Sequence, residues 1–180
     1  VMVGNEKSTT PGDELYGVTL TKGVQQEMTG AIGLDRLSAR IDVESVGIDA
    51  GGEMEDFTLT EVTVKNRQTQ SNLFELTTAS NTAGSEDKTY TTEITEPHTS
   101  LKHVIYTYEN STDGGTYLEV SMKYRGIELT PVTIPFTGKP IRRNHRYKVK
   151  LSRAEDDDYD PEQPMEPNIN MPKFTWTVEV

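Results

Sequence analysis

Three runs between residues 103 and 153 place apolar side chains at every second position. In one, Leu118, Val120, Met122 and Tyr124 share a face, and Glu119, Ser121 and Lys123 take the other. In another, Tyr147, Val149 and Leu151 alternate with Arg146, Lys148 and Lys150. The first of the three is His103–Asn110. A period of two is the period of a pleated strand, with one buried and one wet face. Turn signals recur along the whole chain, at Pro11-Gly12, Lys22-Gly23, Gly51-Gly52, Gly84-Ser85, Asp113-Gly114-Gly115, Arg125-Gly126 and Gly138-Lys139-Pro140. About eleven strands fit between them, which is the pattern of an all-β sandwich or barrel.

The run from Phe57 to Val64 changes phase: Phe57 and Leu59 fall on one side, Val62 and Val64 on the other. One extra residue near Thr60-Glu61 restores the register, so a bulge is predicted there. Residues 31–39 offer at most a turn or two of helix, weakened by Gly30 and Gly33. The small, polar stretch Asn81–Lys88 reads as a loop. Glu96-Pro97-His98 is the expected domain junction, because proline disfavours the interior of a central strand. That divides the chain into residues 1–97 and 98–180. Residues 154–172 carry four prolines and an acidic run, and read as an extended linker.

One more strand follows. Phe174, Trp176, Val178 and Val180 share one face, and Thr175, Thr177 and Glu179 the other. Chain ends usually fray. A run this apolar needs a partner, either within its own sheet or in a neighbouring molecule by strand addition.

The chain has 180 residues, 33% of them apolar, and a net charge of −11. That apolar fraction suits two thin β layers better than one large core. Eight Tyr, four Phe and one Trp in alternating patterns argue against wholesale disorder. With no cysteine, a disulfide framework and thiolate metal sites are excluded. No run approaches the ~18 apolar residues of a membrane-spanning helix. No signal-peptide pattern is present, and the first residue, Val1, is read as the product of processing or trimming. The acidic balance disfavours nucleic acid and anionic membrane as partners.

Chemistry is thin. His98, His103 and His145 lack metal-ligand spacing, and His145 sits among Arg142, Arg143 and Arg146, which repel a cation. No G-x-S-x-G elbow positions a nucleophile. Asp156, Asp158 and Asp160 have D-x-D-x-D spacing, but Pro161 stands where a calcium loop needs glycine, and the later glutamate is missing. Asn110-Ser111-Thr112 matches a glycosylation sequon, yet Asn110 is equally a turn residue before Asp113-Gly114-Gly115. Arg146, Lys148 and Lys150 form a basic strand face. It either meets a partner's carboxylates or the acidic segment at 155–160, or simply guards an edge. These readings give no catalytic residue, no cofactor and no metal.

Residues Tyr106-x-Tyr108-Glu109-Asn110-Ser111, the strand at 116–124 and the run Ile141–Val149 resemble, in that order and spacing, the fimbrillin family of Bacteroidales. These are subunits of type V pili. The upstream segment Leu34–Val43, followed by 57–66, is similar as well. The resemblance spans roughly residues 28–153 and implies two transthyretin-like β-sandwich domains in tandem, of antiparallel Greek-key type. It implies a structural subunit on the cell surface and outer membrane, not an enzyme, serving adhesion and biofilm formation. Its partners would be other fimbrial subunits, with host or bacterial surface receptors. The membrane would be reached only through a precursor's lipid anchor, and this chain has no lipobox cysteine. The first domain is short for the family, so upstream strands are expected to lie before Val1. Proteolytic removal of an N-terminal segment would open a groove for a neighbour's strand. Phe174, Trp176, Val178 and Val180 are the residues assigned to that donor strand. The rival expectation is a monomeric surface module that binds glycan or protein, marked by exposed aromatics such as Trp176 or Tyr108. A secreted β-sandwich enzyme is a further rival, and would need a carboxylate or histidine cluster.

Overall fold

The structure, a computed structural model, describes residues 2–5, 33–45, 57–71, 84–91, 100–154, 160, 162–164 and 170–180. They hold eleven strands and no helix. In chain order these are β1 (Met2–Asn5), β2 (Gly33–Arg36), β3 (Ser38–Ser45), β4 (Phe57–Gln68), β5 (Ser85–Tyr90), β6 (Ser100–Tyr108), β7 (Tyr117–Tyr124), β8 (Ile127–Glu128), β9 (Val132–Pro135), β10 (Arg146–Arg153) and β11 (Phe174–Glu179). One sheet runs β11-β10-β3-β6. A second runs β5-β4-β7-β8, with β9 also on β7, and β1 pairs with β2 alone.

The alternating residues do what their period requires. Leu118, Val120, Met122 and Tyr124 are buried on β7, and Tyr147, Val149 and Leu151 on β10. They join Ile41 and Val43 of β3, Phe57, Leu59, Val62 and Val64 of β4, and Leu101 and Ile105 of β6 in a single core. The phase change in β4 is a bulge: its register against β7 shifts between Leu59 and Glu61, at the predicted place.

Several expectations change. Strands β3 to β11 form one sandwich around a single core, β1 and β2 pair only with each other, and a second sandwich is not seen among the described residues. The pairing within the sandwich crosses residue 97: β3 lies between β6 and β10, and β4 pairs with β7. A division into 1–97 and 98–180 therefore does not partition these strands, while the Glu96-Pro97-His98 junction itself lies outside the described residues. The sandwich is not wholly antiparallel either, since β10 and β3 run parallel. Residues 33–36 and 38–39 are strand rather than helix; the β-branched and apolar residues after Ser38 follow the two-residue period into the core. The supposed loop at 81–88 ends in β5. Its charges explain why so polar a segment is a strand: Lys65 meets Asp87 at 3.1 Å, Arg67 pairs with Glu86, and the Thr63 and Thr89 hydroxyls lie 2.8 Å apart. Cross-strand pairs of this kind stabilise a solvated edge and discourage further pairing.

β7 and β8 form a hairpin closed by Arg125 and Gly126, with φ of 49° and 79°. Two consecutive left-handed residues make the type I′ turn, whose twist matches that of the strands. Nothing lies within 4 Å of a Cβ built on Gly126, so the constraint there is the backbone and not space. Gly126→Ala is therefore expected to cost about 1–2 kcal/mol, measured by urea unfolding. A cost near zero would contradict the left-handed assignment.

Candidate functional site

The site of interest is the edge formed by β10 and β11. The two strands pair antiparallel from Lys148 opposite Glu179 to Arg153 opposite Phe174. The Ala154 N–H donates to the Lys173 carbonyl at 2.9 Å and extends the ladder. Opposite Val149, Leu151 and Arg153 stand Val178, Trp176 and Phe174, so the apolar face of β11 turns toward the core. Phe174 packs against Phe57 and Tyr124, with ring centroids 5.8 and 6.4 Å away. Val178 also packs on the core. Trp176 is 36% exposed and Val180 is 61% exposed. The C-terminal strand is thus placed in its own sheet, at an edge that leaves one flank of its backbone unpaired among the described residues. A cleft of about 360 Å³ lies between the start of β11 and the β8–β9 edge, lined by residues including Leu129, Val132, Met171 and Phe174.

The polar face of β11 is held at one end. Lys150 Nζ donates to Glu179 Oε1 at 2.6 Å, and the Lys139 ammonium donates to the Val178 carbonyl. Lys150 beside Glu179 holds its carboxyl below the usual glutamate range, and Lys148 and Lys139 act in the same direction. Two members of the predicted basic face are therefore engaged within the sheet: Lys150 with Glu179, and Arg146 with Asp42 at 2.7 Å. Lys148 stands between them, opposite both Glu179 and Asp42.

Asp42 is buried on the outer face of β3, where alternation leads one to expect a wet residue. Its carboxylate accepts the His103 N–H at 3.0 Å and the Arg146 Nε–H at 2.7 Å, and lies 3.2 Å from Arg40 Nη2. His103 has φ of 66° and occupies the irregular stretch where the β3–β6 register shifts. Burial pushes the Asp42 carboxyl up, but these donors together bring it below the usual aspartate range.

The residues that carry the family resemblance tie chain segments together. Arg143 is buried and donates both Nε, at 3.0 Å, and Nη2 to the two carboxylate oxygens of Glu109. Asn110 N–H donates to the Ile141 carbonyl at 2.9 Å. The Tyr147 hydroxyl donates to the Pro140 carbonyl and accepts the Arg142 N–H, at 2.7 and 2.8 Å. The His145 Nδ1–H donates to the Arg143 carbonyl at 2.7 Å. Glu109 and Asn110 of one segment and Ile141 and Arg143 of the other thus form one corner of the sandwich.

The remaining candidates dissolve into structure. Asn110 is buried; its Nδ2 donates to Thr116 Oγ1 at 3.0 Å, and its Oδ1 accepts the Thr112 N–H at 3.1 Å. A sugar would need that same nitrogen. Asp156, Asp158 and His98 lie outside the described residues. Asp160 caps the Glu162 N–H at 2.9 Å, and Asn170 Nδ2 donates to the Asp160 and Gln163 carbonyls at 2.8 and 3.0 Å. Asp160, Glu162 and Gln163 belong to a turn held by Asn170, since the Gln163 N–H also donates to the Asp160 carbonyl at 3.1 Å. Among the described residues, no three His, Cys, Asp or Glu side chains gather as a metal site, and no helix is long and apolar enough to cross a membrane. Sequence reasoning missed the Asp42 hub and the Glu109–Arg143 clasp. The one signal for the latter was the fixed order of the two motifs.

No protein-family model matches the chain, and no curated protein matches it either. Among the solved structures similar to it are two bacterial proteins. One is a fimbrial assembly protein of Parabacteroides distasonis, 24% identical, with a TM-score of 0.48 over 88% of this chain and 48% of that one. The other is a candidate cell adhesion protein of Bacteroides fragilis, 14% identical, with a TM-score of 0.45 over 91% of this chain and 51% of that one. The chain spans about half the length of each.

Proposed function

We propose that this chain is a structural subunit of a fimbria on the surface of a Gram-negative bacterium. In this reading it polymerises by strand exchange and supports adhesion and biofilm formation. The observation that carries the reading is β11. It is an apolar edge strand behind a long polar segment, incompletely covered by its own sandwich. Such a strand satisfies the same backbone and pocket partners whether it comes from its own chain or from a neighbour. Exchange in one direction is a heterologous contact, which builds an open filament. Burying Phe174, Trp176 and Val178 supplies the driving force, at about 25 cal/mol per Å² of apolar surface. The residue order shared with fimbrillins supports the same assignment.

Removing residues 174–180 is expected to abolish fibres seen by electron microscopy. Normal fibres from the shortened chain would overturn donor-strand assembly. The exposure of Trp176, flanked by Thr175 and Thr177, favours a second reading, a monomeric module that binds glycan or protein. Trp176→Ala separates the two. Loss of glycan binding by a chain that stays monomeric would favour the module.

A further inference from the structure

We propose that Lys139, Lys148 and Lys150 form a receptor for the acidic end of a C-terminal strand, so that β10 selects a second copy's strand by its carboxylate at position 179. The identity of the occupant rests on the strand-exchange reading above. The geometry rests on the observed pairing. Lys150 donates to the Glu179 carboxylate, Lys148 stands opposite it in the register, and Lys139, from the turn at 136–140, donates to the adjoining Val178 carbonyl. Among the described residues, the neighbouring carboxylates of β3 have other partners. Asp42 is taken by Arg146 and Arg40, and Glu44 lies against Lys102 at 2.7 Å.

The apolar face of β11 carries little information about identity. Alternating threonines with Phe, Trp and Val suit many strands, and a slip of two residues keeps the apolar face inward. The polar end breaks this ambiguity. In the observed register Glu179 stands opposite Lys148, within reach of Lys150 on the diagonal, and the Val178 carbonyl meets Lys139. Diagonal partners on a sheet are within range of long side chains. A strand with a neutral or basic residue at 179 leaves three cations facing one another across a sheet edge. Charge patterns of this kind discriminate between partners by repelling the wrong ones.

The test uses the full chain and two labelled peptides of residues 173–180, one natural and one carrying Glu179→Lys. The natural peptide is expected to be captured at least about threefold better at low salt, as expected for solvated pairs in a cluster. Lys139→Glu, Lys148→Glu and Lys150→Glu together should invert the preference. Capture without preference overturns the proposal and leaves strand exchange standing. Capture of neither peptide overturns strand exchange, and the proposal with it. Amide hydrogen exchange gives an independent check of the receptor. Glu179→Lys should speed exchange at residues 174–179, and adding Lys150→Glu should restore much of the protection. If the double variant is no slower than the single one, the receptor assignment is wrong.

Discussion

Asp42→Ala is expected to lower the unfolding free energy by about 3 kcal/mol. The carboxylate is 1% exposed and gathers the His103 N–H, Arg146 and Arg40. Removing it leaves a left-handed residue's N–H without its acceptor and two guanidinium groups without their shared counter-charge. The lower end of the range for broken buried pairs applies, because the Arg146 side chain is 45% exposed and can turn to water. Asp42→Asn keeps an acceptor and loses the charge, so it should fall between wild type and Asp42→Ala. The effect depends on pH in a fixed direction. A carboxyl whose folded pKa is depressed stabilises above its unfolded value and loses that contribution as pH falls through the folded one. The gap between wild type and Asp42→Ala in urea unfolding should therefore be full at pH 7 and shrink below about pH 4. Asp87, whose carboxyl is held down first by the Asn66 N–H and then by Lys65, adds acid sensitivity of the same sign. A gap as wide at pH 2 as at pH 7 would show that the charge is not what Asp42 contributes.

Arg143→Ala should cost about 2–3 kcal/mol and lower the melting temperature by roughly 5–10 °C. The guanidinium is buried, its carboxylate partner on Glu109 is partly solvated, and Ser71 is the next group within reach of both. The estimate is lower than for a fully buried pair because water can take over part of Glu109. Glu109→Ala and the double variant complete a cycle, in which a coupling of about 1–2 kcal/mol is expected. Additive losses would mean that the two residues stabilise the corner independently.

These two predictions concern residues whose partners strand periodicity does not reveal. Alternation assigns Asp42 to the wet face of β3, and it is on that face; what buries it is Arg146, 104 residues away in the chain. A local pattern carries no trace of such a neighbour. The same holds for Arg143 and Glu109, whose pairing is visible only as a fixed motif order. By contrast, the bulge after Leu59 was legible, because a shifted phase of apolar residues needs an extra residue whatever the partner strand is. The faces of β7, β10 and β11 were legible for the same reason. The pairing of β3 with β6 and β10 across residue 97 was not legible, because turn signals report where strands end and not which strands pair. β5 was misjudged because its stability lies in charges on β4. The family-like residues at 106–149 were legible as a pattern, and their role is to close a corner of the fold. The strand held by Lys139 and Lys150 lies outside them.

The parallel pairing of β3 with β10 has a consequence for how the protein is made. Both neighbours of β3 come late in the chain, at residues 100–108 and 146–153. The central strand of that sheet cannot be paired on either side until most of the sequence has emerged. Closing such long loops before any contact repays them makes folding slow. A chain emerging N-terminus first would therefore hold β3 unpaired until β6 has emerged, and complete this sheet only once β10 and β11 are through.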